Sequence, residues 1–367
     1  MTRREMAMTS LAAATALGAE AVPEARFDPV AYSRERHKTA PLRLRFNSNS
    51  PAATRAWQRK LRVKLRELVG GFPENPSPLR PRVLETKDLG TYTREKIVFT
   101  SREGMDVLAY LAKPKVVAGA MPVMICVPGH GRGVDDIVGI DEKGVQRSVA
   151  SGYQADFALQ FVEQGVAALA IEPLAFGYRR DPVNAAKGPN QNSCQPSAGA
   201  ALLLGETMIG WRVYDVMRAI DYVETRKDLD ARRVGCVGIS GGGTCTLFAT
   251  ALDTRIQAAM VSGYLNTFRD CILSLAHCMD NYVPGILNWA EMSDVAGLIA
   301  PRPLFFESGE LDRIFPLAGF KEGFEATRKV YESLGAADLL GMEIHSGAHV
   351  FHGVKGVPYI AKNLRGV

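Results

Sequence analysis

No stretch of the chain approaches the roughly 18 uninterrupted apolar residues that a membrane helix needs, so no membrane span is expected. Cysteine is scarce. Six in 367 residues are too few to build a fold on disulfides. Cys126 and Cys236 sit in apolar runs that read as strands and Cys245 in a helical run, which makes them buried thiols. Cys194, Cys271 and Cys278 fall in segments that read as loops. An oxidising compartment would permit a bridge among these three, and the sequence does not choose the pair. Repeats and low-complexity tracts are missing, which excludes a solenoid. Concentrated charge is missing too. Lys and Arg number 44 against 39 Asp and Glu, a net charge of +5. The densest basic patch is Arg59, Lys60, Arg62, Lys64 and Arg66. It is interrupted by Leu61, Val63 and Leu65, so it reads as the solvated face of a helix and not as a nucleic-acid groove.

What remains is a globular composition, 47% hydrophobic and 23% charged, enough for one large core and a small accessory region. Residues 1–21 read as an export signal. Arg3-Arg4 precede a short apolar run from Met6 to Leu17, and small residues follow at Gly18, Ala19 and Ala21. The paired arginines resemble a twin-arginine signal, which places the mature protein in the periplasm or outside the cell. Residues 22–80 are rich in Pro and Arg. They read as an N-terminal helical extension with one clear helix, about Thr54 to Val69, stopped at Gly70-Gly71.

From residue 81 to 367 the pattern is that of a single catalytic domain. Ile97–Phe99 and Val107–Leu111 read as a strand pair. Buried-strand runs follow at Val123–Val127, Ala167–Ile171, Val234–Val237, Ala258–Val261, Leu304–Phe306 and Met342–Ile344. Helical patterns lie between most of them. The clearest spans Met208 to Val223, with Ile209, Val213, Val216, Met217, Ile220 and Val223 on one side. Arg212, Asp215, Arg218 and Asp221 mark the opposite side. Apolar strands alternating with amphipathic helices imply an α/β fold, a mostly parallel sheet covered on both faces. Ligands then bind beyond the carboxyl ends of the strands.

One of those ends carries Gly238-Ile239-Ser240-Gly241-Gly242, between the run at 234–237 and a helix-like run from Thr244 to Leu252. That is the strand–turn–helix setting of the G-x-S-x-G nucleophile elbow, so Ser240 is the candidate nucleophile. Serine needs a base, and the base needs an acid to orient it. In this arrangement the acid comes next in the chain and the histidine last. Asp312 lies in the loop after the run at 304–306, and Pro316 fixes that loop's exit. Glu310 and Glu307 remain alternatives. Among the six histidines, His345, His349 and His352 follow the last strand. His349, behind the small Gly347-Ala348, is the candidate base, and His352 is second.

The developing oxyanion needs preset N–H donors. Gly241 supplies one. The loop Pro128-Gly129-His130-Gly131-Arg132-Gly133 supplies the other from Gly131 or Arg132, with His130 beside the substrate. The loop's glycine spacing is not a dinucleotide fingerprint, and it lacks the Lys and Ser/Thr of a phosphate-binding P-loop. His345, His349 and His352 lack a completing Cys or carboxylate cluster, and no metal is expected.

With those residues placed, the chain resembles the acetyl xylan esterase-like branch of the α/β-hydrolases, near the dienelactone hydrolases. The resemblance covers about residues 85–367. It rests on Pro128–Asp136, Gly210–Tyr222, the elbow, Asn281–Gly285, Ala300–Leu304, Gly309–Pro316 and Gly347–Phe351. It implies cofactor-free hydrolysis of short-chain esters, often acetyl groups on plant polysaccharide. Dienelactone hydrolases use a cysteine nucleophile, and Ser240 departs from them. The peptidase relatives carry a propeller that residues 22–80 cannot supply. The expectation is a serine carboxylesterase acting on small-molecule or carbohydrate esters. The alternatives are a thioesterase, lactonase or small peptidase, and a non-catalytic binding protein on the same scaffold. The insertion 266–293, with His277 and Tyr282, is expected to shape the substrate pocket. The sequence leaves the oligomeric state open.

Overall fold

The alternating pattern resolves into strands and helices in a computed structural model, which describes residues 27–115 and 119–366. The expected export segment lies outside those residues. In chain order the elements are α1 Pro29–Lys38, α2 Pro51–Leu68, β1 Arg82–Asp88, β2 Tyr92–Arg102, β3 Met105–Pro114, β4 Met121–Val127, α3 Val134–Ile137 and α4 Phe157–Glu163. They continue with β5 Ala167–Ile171, α5 Pro182–Ala185, α6 Cys194–Leu203, α7 Met208–Glu224, β6 Leu229–Ile239, α8 Gly241–Leu252 and β7 Ile256–Ser262. Last come α9 Met292–Gly297, β8 Leu304–Gly309, α10 Leu317–Ser333, β9 Leu340–His345 and α11 Gly356–Arg365.

Among the described residues the strands form one sheet in the order β1-β2-β3-β5-β4-β6-β7-β8-β9. β1, β2 and β3 make an antiparallel meander, β3 runs antiparallel to β5, and every pair from β5 to β9 is parallel. The strand period of two divides the core. Val123, Ile125 and Val127 face the helices α2, α7 and α8, whereas Met124 and Cys126 face α4 and α11. Both faces are therefore apolar, and the central strands read as nearly unbroken hydrophobic runs.

Two expectations change. The sequence pattern set Arg212, Asp215 and Arg218 on the side of α7 opposite its apolar residues, but all three are buried. That side faces the loops after β5 and before β1, so each charge is paired. Arg212 meets Asp280, Arg179 meets Asp215, and Arg218 meets Asp221 and the Ser77 carbonyl. The second concerns α2. Its basic side is only partly solvated, because Arg62 reaches back to the carbonyls of Ala251 and Leu298. Trp57, Leu61 and Leu65 enter the same core as the sheet.

Candidate active site

The elbow forms because β6 must turn directly into α8. Ser240 takes φ 57° and ψ −123°, a sparsely populated region that costs on the order of 1–3 kcal/mol and needs surrounding structure to hold it. Its N–H donates to the Ser262 carbonyl at 3.1 Å. The flanking glycines are required by close approach: a methyl at Gly242 would collide with the Val127 carbonyl oxygen, and one at Gly238 with the Gly242 carbonyl.

The loop after β8 presents Asp312, which is buried. Its Oδ1 accepts the N–H groups of Ile314 at 2.8 Å and Phe315 at 3.0 Å. Its Oδ2 lies 2.7 Å from His349 Nδ1. With both carboxylate oxygens accepting, the shared proton is assigned to Nδ1, and Nε2 is the basic nitrogen. Nε2 has no hydrogen-bond partner among the described residues. It lines a cleft of about 400 Å³ together with Ser240. The His349 ring lies between Phe315 and Tyr153, with centroids 5.7 and 5.8 Å away.

The other carboxylates and histidines take other places. Glu310 is exposed. Glu307 is buried and accepts from Ser262 Oγ and the N–H groups of His352 and Gly353, which ties β8 to the His349 loop. His352 lies 3.4 Å from Glu343 and stacks on His345.

In the loop after β4, Gln154 Oε1 takes the Gly129 N–H at 2.8 Å and Asp136 Oδ2 takes the Arg132 N–H at 2.9 Å. The Arg132 guanidinium is spent on Asp136 and the Ile140 carbonyl. The amides of His130 and Gly131 have no acceptor among the described residues. Tyr153 Oη donates to the His130 carbonyl at 2.5 Å, which turns that peptide's N–H away from Tyr153. Beneath the loop, buried Glu172 accepts from the N–H groups of Val134 and Tyr178.

The cleft is also lined by Leu275, Ala276, His277, Cys278, Ile314 and Phe315. The insertion thus reaches the cleft through His277. Burial lowers the His277 pKa, which favours the neutral imidazole. Tyr282 lines a separate cavity of about 320 Å³ against α1. Beside Gly241, His130 Nε2 lies 3.6 Å from Asp280 Oδ2, which also binds Arg212 at 2.5 Å. Burial alone would raise the Asp280 carboxyl, but Arg212 and His130 outweigh it and hold it below its ordinary value. Cys194 and Cys278 complete a group of four potential metal-ligating side chains around this point. Sequence reading missed Tyr153, Phe315, Asp280 and Arg212 as neighbours of the site. Phe315 lay inside the acid-loop motif, Arg212 inside Gly210–Tyr222 and Asp280 inside the 266–293 insertion, but Tyr153 carried no local signal.

Comparison with solved structures finds the same fold elsewhere. A Bacteroides fragilis protein provisionally described as an acetyl xylan esterase superposes with a TM-score of 0.74 at 20% identity, covering 92% of this chain and 90% of that one. A glucuronoyl esterase from Solibacter usitatus superposes at 0.60 with 19% identity, covering 84% and 93%. At those identities the likeness is one of fold. In sequence, a Bacillus subtilis (strain 168) protein provisionally described as a hydrolase, YtaP, is 27% identical over 298 residues, 78% of this chain and 92% of the relative. A family model described as the Abhydrolase family matches residues 37–326. That span takes in the elbow and the acid loop and makes up most of the chain, which therefore belongs to the Abhydrolase family of α/β-hydrolases.

Proposed function

We propose that this hydrolase is a serine carboxylesterase that removes short acyl groups, acetyl above all, from carbohydrate esters. The observation that carries the reading is the 2.7 Å Asp312–His349 pair facing the same cleft as a strained Ser240. In this reading Ser240 Oγ attacks the ester carbonyl and passes its proton to His349 Nε2. Asp312 holds the imidazole and stabilises its charged form. The oxyanion meets the N–H of Gly241 and that of His130 or Gly131. The leaving alkoxide takes the proton from His349. Water, deprotonated by the same nitrogen, then releases the acid and restores Ser240. The carbohydrate ester class is supported by the structural neighbours, one provisionally described as an acetyl xylan esterase and one a glucuronoyl esterase. Export through residues 1–21 belongs to the same proposal. Among the described residues no helix is long and apolar enough to cross a membrane.

Ser240→Ala tests the centre of the reading. Turnover of an acetyl ester should fall about a million-fold with the fold intact. Labelling by a fluorophosphonate should vanish with it, which also separates an enzyme from a non-catalytic binding protein. Asp312→Asn should lower kcat roughly ten-thousand-fold by supporting the wrong tautomer, while Glu310→Gln changes little. A folded, active Ser240→Ala would end the proposal.

A further inference from the structure

Three segments far apart in the sequence meet beside Gly241: the loop after β4 with His130, the first residue of α6 with Cys194, and the short turn in the 266–293 insertion with Cys278 and Asp280. Their potential ligand atoms all lie within 4.8 Å of one another. Three of the separations are known individually. Cys194 Sγ is 3.8 Å from His130 Nε2 and 3.9 Å from Asp280 Oδ2, and His130 Nε2 is 3.6 Å from Asp280 Oδ2. A tetrahedral zinc with ordinary Zn–S, Zn–N and Zn–O lengths separates its ligand atoms by about 3.3–3.8 Å. The atoms of His130, Cys194 and Asp280 therefore need to contract by only ~0.3 Å to become three corners of such a site, and the Cys278 sulfur lies within 4.8 Å of each of them.

We propose that His130, Cys194, Cys278 and Asp280 bind one zinc-type divalent cation in a closed four-ligand site. The donor set is that of a zinc site, two thiolates, an imidazole and a carboxylate. The surroundings supply the supporting contacts. Arg212 Nη1 bonds Asp280 at 2.5 Å and Nη2 approaches Cys194 Sγ at 3.5 Å, while Asn281 Nδ2 holds the other Asp280 oxygen at 2.8 Å. Charge also closes. Two thiolates and a carboxylate around a divalent cation leave one negative charge, and the buried Arg212 cancels it. Binding sends one proton from each thiol to solvent, and nothing is oxidised. His130 and Cys278 line the open cleft, which gives the ion a route in. With all four positions taken by protein, the ion braces and does not activate water. It ties the wall of the β4 loop to α6 and to the insertion.

The test uses the full chain, purified without chelator, and reads metal instead of ester turnover, so its outcome is independent of the esterase reading. Elemental analysis should find one zinc per chain. Cobalt(II) added to the stripped, reduced protein should give sulfur-to-metal charge transfer and the intense visible bands of a tetrahedral ion. Cys278→Ser, at a half-buried position, should weaken binding at least about tenfold. Cys271→Ala should leave it unchanged, because the Cys271 thiol bonds only the Thr267 carbonyl. Free thiols at Cys194 and Cys278 in wild-type protein that gives no cobalt spectrum would overturn the proposal. So would a Cys194–Cys278 disulfide in protein isolated from its native cells.

Discussion

A methyl group at Gly133 would collide with the Glu172 carboxylate, and Glu172 has nowhere else to go. This side chain is fully enclosed beneath the β4 loop, and burial is the main reason its pKa is pushed up to about 8. The N–H groups of Val134 and Tyr178 pull the other way without prevailing. The consequence for stability has a definite sign. Between about pH 4.5 and 8 the folded protein keeps a proton that the unfolded chain has already released. Stability contributed by the protonated carboxyl is therefore complete below that window and lost as pH rises through it. The slope is at most about 1.4 kcal/mol per pH unit. Glu172→Gln should remove this part of the slope in urea unfolding measured from pH 5 to 9. It should also lower stability at pH 5, because the amide nitrogen cannot accept from a backbone N–H. An unchanged difference between the two proteins across the window would show that Glu172 titrates normally.

At the scale of elements, α2 shows why residues 22–80 read as an appendage and how α2 is in fact held. Its basic residues dominate the composition, but Leu61 and Leu65 lie at zero and Trp57 at 9% exposure. Gln58 donates to the carbonyls of Gly297 and Ala300 at 2.9 and 2.7 Å, at the end of α9. Leu61→Ala should destabilise the protein by about 2–5 kcal/mol. Val63→Ala, at a side chain 72% exposed, should stay within about 0.5 kcal/mol of wild type. Equal effects in denaturant titrations would mean that α2 is not part of the core. The same contrast explains what was legible. The central strands and the elbow could be read because burial on both faces and a strained turn each force residue types. β1 could not, since every residue of Arg82–Asp88 is exposed and its pairing with β2 leaves no apolar pattern. The buried charges of α7 could not either. Their partners Asp280 and Arg179 are brought in by distant loops, and a local period cannot register that.

At the scale of the whole molecule, the parallel sheet delivers the ends of β4, β6 and β8 to one edge. Ser240 sits at the end of β6 and Asp312 just after β8, and the insertion covers them on one side. The space behind the nucleophile is occupied. A methyl carbon added at Gly241 would lie 3.2 Å from Asp280 Oδ2 and 3.3 Å from the His130 ring. Beyond them stands the buried Arg212–Asp280 ion pair. A long acyl chain directed there would have to displace or desolvate paired charges, which is strongly unfavourable in a buried setting. An acetyl group asks for no such space. The cleft itself is lined by His277, Leu275 and Ile314, and an alcohol as large as a sugar is expected to extend along them. The ratio kcat/KM should therefore fall from acetyl to butyryl to octanoyl esters of one alcohol. In an enzyme with a fitted apolar channel, each added methylene would instead gain about 1–3 kcal/mol. A maximum at octanoyl would mean that the acyl chain lies along the apolar cleft residues Leu275 and Ile314, and it would replace the deacetylase reading with a lipase-like one.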